Sequence, residues 1–363
     1  MDERGAMARA IDLAWRGWGR VQPNPLVGAV VLQGGALVGE GWHEAFGTAH
    51  AEPIALAVAG ERARGATLVV TLEPCAHQGK QPPCAPAVLA AGIRRVVSAL
   101  ADPNPAAAGG AEWLRAAGVA VEQGVMASEA AAQNAIFLHG IRDPSRPFVS
   151  LKLATSLDGR IADRDGRSRW ISGAEARAYV QWLRAGYDGI GIGAGTAVAD
   201  DPVLTVRGAL QPTRPPLRVV FDRAARLGAN SALVRSARDV PTLVVHGPVV
   251  ERAVRERLAG AGVQLVEART LDEALIALRA RGAESLLVEG GGRLAGALLA
   301  ADLVDRFHWV QSPLWLGERG VAAMAGVPSR ALAAAPRWRV TDRRALGDDT
   351  LLVVDRERCS PAS

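Results

Sequence analysis

Three cysteines in 363 residues, Cys75, Cys84 and Cys359, are too few for a disulfide framework, and the first two stand nine positions apart beside a proline. Aromatic residues make up only 4% of the chain, which leaves little material for stacking bases along a nucleic-acid strand. No run is long and apolar enough to span a bilayer. The stretch Met1–Arg20 is broken by Asp2, Glu3, Arg4, Arg9, Asp12, Arg16 and Arg20, so it lacks the apolar segment of a signal peptide. These absences predict a cytoplasmic protein with reduced thiols. A concentrated charge is also missing. Lys and Arg number 42 against 37 for Asp and Glu, and the excess of five is scattered along the chain. Neither a nucleic-acid groove nor a membrane surface is expected. A small phosphorylated ligand fits the balance, because one phosphate needs only a few arginines and backbone donors.

What the chain does have is apolar bulk. With 49% hydrophobic residues it is long enough to bury two cores, and two domains are expected. Periodicity predicts a helix over Met7–Trp18, a hairpin of Val27–Gln33 and Leu37–Gly41 across Gly34-Gly35, and a helix over Ala49–Gly60. A strand over Ala66–Leu72 ends at Glu73-Pro74-Cys75, a helix follows over Pro86–Gly92, and a strand over Arg95–Leu100. A helix ending near Gly118, a short strand from Val119 and a helix from Ser128 to about Leu138 complete the set. The polar connector Arg142-Asp-Pro-Ser-Arg-Pro147 then separates it from a second α/β series that starts at Phe148. The boundary is placed accordingly, with one domain over 1–145 and another over 146–363.

In the first half, His50, Cys75 and Cys84 supply three ligands of the kind a catalytic zinc requires, with a fourth position open for water. Glu52, two positions after His50 at the start of a helix, is placed to move protons without binding the metal. Zinc deaminases of nucleobases carry H-x-E followed by P-C-x-x-C, but here eight residues, Ala76–Pro83, separate the cysteines. That loop is expected to shape the substrate pocket. His43 and His77 compete for the ligand role, and a structural Cys2His2 site is the alternative. It leaves unexplained both Glu52 and the Pro23-Asn24-Pro25 turn, which would present Asn24 to a ligand.

Several motifs resemble the bifunctional riboflavin-biosynthesis deaminase/reductases. In the first half they are Met7-Ala-Arg-Ala, Pro23-Asn-Pro-Leu-Val-Gly28, Gly47-Thr-Ala-His-Ala-Glu52 and Thr71-Leu-Glu-Pro-Cys75 with Pro82-Pro-Cys84. In the second they are Ser150–Gly159, Ser168-Arg-Trp-Ile171, Gly195-Thr196, Ala199-Asp-Asp-Pro202 with Leu204-Thr-Val-Arg207, and Val288-Glu-Gly-Gly-Gly292 with Leu294-Ala-Gly296. The resemblance implies an N-terminal cytidine-deaminase-like three-layer α/β domain and a C-terminal dihydrofolate-reductase-like α/β domain. It further implies zinc on His50, Cys75 and Cys84, proton shuttling by Glu52, and substrate contact by Asn24.

For the second domain the resemblance implies NADPH, held at positions matching Ala154, Trp170, Thr196, Asp200, Gly291, Gly292, Arg293, Leu294, Ala295, Gly296 and Ala297. Substrate is implied at Lys152, Ser168, Arg184, Leu204, Arg207 and Glu289. Two arginines, Arg184 and Arg207, suit bidentate phosphate recognition. Lys152, Asp200 and Glu289 are equal candidates for orienting the ribose or supplying its proton. The glycine turn at Gly290–Gly292 offers backbone N–H groups at a helix start, although its spacing is not the G-x-G-x-x-G fingerprint. Three departures stand out: Arg223 after Asp222, Gly292 in place of a proline or serine, and His308-Trp309 on a strand where aliphatic or tyrosine residues are usual. The resemblance also implies a homodimer that takes a small phosphorylated pyrimidine. Two other functions share parts of the pattern: a nucleoside or RNA deaminase fused to a reductase-like domain, and a non-catalytic zinc-stabilised binding protein.

Overall fold

The computed structural model describes residues 1–357; Cys359 and the rest of the C-terminal end assigned to the second domain lie outside them. The chain separates into two units, Met1–Arg142 and the remainder from Asp143.

In the first unit the elements are α1 (Glu3–Ala14), β1 (Gly28–Gln33), β2 (Ala36–Trp42), α2 (Ala51–Ala59), β3 (Thr67–Leu72), α3 (Cys84–Ala90), β4 (Arg95–Leu100), α4 (Gly110–Ala116), β5 (Ala120–Gln123), α5 (Ala127–Gln133) and α6 (Ala135–Arg142). Helix α1 begins earlier than its periodicity suggests, because the Asp2 carboxylate accepts the Gly5 N–H at 2.8 Å and caps it. The sheet runs β2-β1-β3-β4-β5, with β1 antiparallel to both neighbours and β3, β4 and β5 parallel. Alternation along the strands sorts side chains onto two faces. Val31, Leu68, Val70 and Val96 pack with α2, α3 and α4, while Val30, Val69 and Val97 pack with α1 and α5. The result is three layers. Close approach of α1 to the sheet requires Gly28, where a Cβ would lie 2.0 Å from the Ala10 carbonyl oxygen. The helix expected from Ser128 to Leu138 is two helices, α5 and α6, broken at Asn134. That buried side chain bonds both backbone groups of Leu26, accepting from its N–H at 2.8 Å and donating to its carbonyl at 3.0 Å.

The second unit contains β6 (Phe148–Thr155), β7 (Arg160–Ala162), α7 (Ala174–Ala185), β8 (Gly189–Gly193), α8 (Ala194–Asp200), β9 (Leu217–Phe221), α9 (Ala232–Arg235), β10 (Thr242–His246), α10 (Arg252–Gly260), β11 (Gln264–Glu267), α11 (Leu271–Arg279), β12 (Ser285–Glu289), α12 (Gly292–Ala300), β13 (Arg306–Gln311), β14 (Val321–Ala322), β15 (Trp338–Leu346) and β16 (Asp349–Arg356). Nine strands form one sheet in the order β11-β10-β9-β8-β12-β6-β13-β16-β15. From β11 to β13 neighbours are parallel, and β16 and β15 close the far edge antiparallel.

Central strand β6 is unlike an ordinary buried parallel strand, which is apolar throughout. Val149, Leu151 and Leu153 join α11 and α12 in an apolar core. The alternate positions Ser150 and Lys152 face polar company: the Ser150 hydroxyl bonds the Tyr187 phenol at 2.5 Å, and Lys152 is paired in register with Glu289 on β12 and His308 on β13. A polar rung in the middle of a sheet is costly unless its groups are paired.

Candidate functional sites in the two units

His50 is the residue that enters α2, and Glu52 lies in the first turn of that helix. Cys75 follows the end of β3, and Cys84 opens α3. This juxtaposition of two helix starts brings Cys84 Sγ to 3.3 Å and Cys75 Sγ to 3.7 Å from His50 Nδ1, with all three donor atoms within 4.8 Å of one another. A tetrahedral zinc, with metal–sulfur bonds of about 2.3 Å and metal–nitrogen bonds of about 2.0 Å, sets its ligands roughly 3.5–3.8 Å apart. The trio therefore fits one ion.

Its electrostatics agree. Cys75 is pulled down to about 4 by hydrogen bonding with the Cys84 thiol and then with the His50 ring, while that same contact and burial push Cys84 up. Metal binding requires both thiols to lose their protons, and a cation between the two sulfurs would favour that loss. Burial raises Glu52 to about 7, which suits a carboxyl that must both take and return a proton near neutrality.

His43 is not a ligand. Its Nδ1 donates to the Ala49 carbonyl at 3.0 Å, and its Nε2 accepts from the Asn24 amide at 3.1 Å. Both ring nitrogens are thus occupied, and His43 instead orients Asn24. His77 also stands outside the trio, among the residues lining a cavity of about 260 Å³ in front of it. Asn24, Glu52, Phe46, Lys80 and Asn104 line the same cavity. Loop 76–83 forms part of its wall, tied back by Gln81 Nε2 donating to the Gly47 carbonyl at 2.8 Å and by the Lys80 ammonium 3.9 Å from the centre of the Phe46 ring.

Glu73 is a residue whose role the sequence hid. Buried beside the Pro74-Cys75 pair, its carboxylate accepts from the backbone N–H groups of Asp102, Gly109 and Ala111 at 3.2, 3.0 and 2.9 Å. It folds the loop that carries Asn104 over the cavity.

In the second unit the C-terminal ends of adjacent strands β8, β12 and β6 carry the expected cofactor positions, the usual place for a ligand in a parallel sheet. Ala154 is near the end of β6, Thr196 is in the first turn of α8, and Gly290-Gly291 joins β12 to α12. Gly290 and Gly291 both have positive φ, +70° and +81°, and a Cβ on Gly291 would lie 3.0 Å from the Thr196 hydroxyl. Arg293 and Ala297 of α12 are exposed, whereas Leu294, Ala295 and Gly296 are buried. Contact from those three positions would run through the backbone of the helix. Gly292 has its own cause: a Cβ there would meet the Ala322 carbonyl oxygen at 2.3 Å.

Arg184 forms a largely buried ion pair with Glu289. Its Nε and Nη2 donate to the two Glu289 oxygens at 2.6 and 2.9 Å, and Nη1 donates to the Thr205 carbonyl at 3.0 Å. This bidentate pair holds Glu289 below the ordinary carboxylate range despite burial and ties down the 200–207 loop. Within that loop Leu204 is buried with positive φ, and exposed Arg207 is anchored by its N–H to Gln181 Oε1 at 2.8 Å. Arg218, a side chain missed from sequence, supports the loop from behind, donating to the Val203 carbonyl at 3.2 Å. Ser168 and Trp170 stand on a neighbouring loop, where Arg177 stacks 4.7 Å from the exposed Trp170 ring and Arg169 donates to the Asp200 carbonyl at 2.9 Å.

Known proteins match this chain over nearly its whole length. Residues 147–352 match the RibD C-terminal domain, and residues 1–100 match the cytidine and deoxycytidylate deaminase zinc-binding region. The riboflavin biosynthesis protein RibD of Escherichia coli K12 is 40% identical, with 97% of this chain and 99% of that protein covered. RibD of Mycobacterium tuberculosis H37Rv is also 40% identical, over 96% and 95% of the two chains. Among solved structures, Acinetobacter baumannii RibD superposes with a TM-score of 0.81 at 37% identity, covering 98% of this chain and 99% of that one. A Thermotoga maritima protein described as a diaminohydroxyphosphoribosylaminopyrimidine deaminase and 5-amino-6-(5-phosphoribosylamino)uracil reductase does so with a TM-score of 0.81 at 34% identity, covering 98% of both chains. A zinc-region deaminase unit and a RibD-type reductase unit in one chain, at this identity and coverage, place the protein in the RibD family of riboflavin biosynthesis enzymes.

Proposed function

We propose that the chain performs two successive steps of riboflavin synthesis, a zinc-dependent deamination in residues 1–145 and an NADPH-dependent reduction in residues 146–363. The first removes the 2-amino group of 2,5-diamino-6-(5-phosphoribosylamino)pyrimidin-4(3H)-one as ammonia. The second reduces the ribosyl group of the deaminated product to ribityl. The observation that carries the first is the His50–Cys75–Cys84 trio with buried Glu52 beside it, open to one cavity.

When bound, zinc supplies Lewis-acid activation of water. Glu52 receives the proton and returns it to the departing amino group, while Asn24, fixed by His43, orients the pyrimidine. In the reductase NADPH supplies the hydride. The Gly290–Gly292 turn and the start of α12 offer backbone donors to its phosphates, and Thr196, Asp200, Trp170 and Ala154 flank it. Arg207 and Ser168 receive the substrate phosphate, Leu204 packs on the substrate, and Lys152, steadied by Glu289, holds the proton for the sugar oxygen. The enzyme is a cytoplasmic homodimer acting on small molecules, with no nucleic-acid partner. Among the described residues no helix is long and apolar enough to cross a membrane.

Incubating zinc-loaded protein with the diaminopyrimidine substrate tests both halves. Ammonia is released without NADPH, and NADPH added afterwards is oxidised. Ammonia release that survives chelation of zinc, or zinc-loaded protein with neither activity, overturns the reading.

A further inference from the structure

The departure at His308 has a structural counterpart. His308 pairs in register with Lys152 across β13 and β6, as Glu289 does across β12 and β6. Residues paired this way point to the same face, and their strands are about 4.8 Å apart, within reach of a lysine's four-carbon stem. Three polar side chains therefore form one rung, carboxylate, ammonium and imidazole, on the face covered by α7. The helix grips both ends of the rung. Arg184 holds Glu289, and the Tyr179 phenol meets His308 Nδ1 at 2.9 Å. The other ring nitrogen, Nε2, is buried with no hydrogen-bond partner among the described residues.

We propose that His308 is a positioning residue of the reductase site: with Nδ1–H donating to the Tyr179 oxygen, its Nε2 lone pair, which no group among the described residues hydrogen-bonds, is the acceptor that the Lys152 ammonium reaches by a change of rotamer. The inference rests on Lys152 being the proton-holding group proposed above. Burial keeps the ring neutral, and the positive charges of Arg306, Lys152 and Arg344 around it act in the same direction. Neutral imidazole that donates Nδ1–H to Tyr179 must present a lone pair at Nε2. A lone pair facing an ammonium is the favourable arrangement in a site already rich in cations.

Lys152 needs such help. Burial works against its charge, as does the Arg184 guanidinium, and only Glu289 and Asp349 favour it. A hydrogen bond accepted from the charged form stabilises that form, so His308 moves the loss of the Lys152 proton to higher pH. Removing the acceptor moves it to lower pH, by about one unit for a single hydrogen bond to a charged group.

The composition allows a direct measurement, because Lys80 and Lys152 are the only lysines in the chain. Protein labelled at the lysine ε-carbon gives two resonances, assigned with Lys80→Met, and the titration of Lys152 is followed by NMR without cofactor or substrate. His308→Leu and His308→Asn lower its midpoint by about one unit, while the Lys80 midpoint stays in place. His308→Gln, which puts a polar atom near the position of Nε2, restores most of the difference; His308→Asn keeps only the contact to Tyr179. The alkaline limb of reductase kcat shifts in the same order. An unchanged Lys152 midpoint in His308→Leu, or a His308→Asn protein that titrates like wild type, overturns the inference. If His308→Leu does not fold, the Gln and Asn proteins decide between the outcomes. Lys152→Met tests the underlying assignment separately: full NADPH oxidation in that variant removes Lys152 from the reaction and leaves the NMR result standing.

Discussion

The two sites are built on opposite plans. In the first unit, donors and proton carrier come from two helix starts and one strand end, no more than 34 positions apart from His50 to Cys84. In the second, Lys152, Arg184, Thr196, Arg207, Glu289 and His308 come from β6, α7, α8, a loop, β12 and β13. A metal ion needs a few atoms converging on one point, and short segments supply them. A dinucleotide and a sugar phosphate need an extended surface, and the C-terminal ends of several adjacent strands supply one. The first plan concentrates function in single side chains; the second spreads it over mutual supports.

The sharpest test of that contrast, and the largest expected effect, is Glu52→Gln. It removes the proton carrier but no zinc ligand, so ammonia release falls by about 10²–10⁴-fold, while bound zinc and NADPH oxidation with the deaminated substrate are unchanged. Metal analysis beside the two assays checks it. Loss of zinc in the variant would place Glu52 among the ligands and blur the division of labour.

The same contrast explains what was legible in the sequence. Residues of a local motif carry their spacing with them, so His50, Cys75 and Cys84 were readable together, and the structure brings their donor atoms into one group. Regular elements were readable for a similar reason: β4 runs over Arg95–Leu100, as periodicity predicts. The elements β7, α9 and β14, of three, four and two residues, were not, and neither was α8, which follows β8 without a break. Nor was the pairing of Arg184 with Glu289, because the two residues are 105 positions apart. Glu73 was hidden differently: it stood inside a recognised motif, yet its partners are backbone N–H groups, which have no sequence signature.

Arg184→Met probes the distributed plan. Both members of its pair are largely buried, with side-chain exposures of 11% and 13%, so removing the guanidinium leaves Glu289 as an unpaired buried carboxylate. Breaking such a pair from one side costs about 3–5 kcal/mol. Chemical denaturation should show that loss, and NADPH oxidation should fall with it, while ammonia release stays near the wild-type rate below the transition. Arg184→Lys should recover only part, because an ammonium cannot reproduce the two-pronged contact. A stable Arg184→Met protein with full reductase activity would mean the second site depends on single groups after all.

The smallest expected effect falls at Gly292, where the second site relies on the lack of a side chain. Helix propensity alone makes alanine better than glycine by about 1 kcal/mol inside a helix, so a neutral environment predicts stabilisation by Gly292→Ala. The surroundings are not neutral. The new Cβ would lie 2.3 Å from the Ala322 carbonyl oxygen and 3.2 Å from that of Ala323. These are backbone atoms, and their segment is pinned by Ala323 N–H donating to the Gly159 carbonyl at 3.1 Å and Ala325 N–H donating to that of Gly292 at 3.0 Å. Overpacking of this kind costs about 1–3 kcal/mol, which outweighs the gain in propensity. The start of α12 must then shift, and with it the backbone donors of the Gly290–Gly292 turn. The expected result is a several-fold rise in KM for NADPH with a smaller change in kcat, a modest loss in stability, and no change in ammonia release. An alanine variant that is more stable than wild type with an unaltered KM would show that segment 322–325 yields, and that this end of β12 is less tightly interlocked than the metal site.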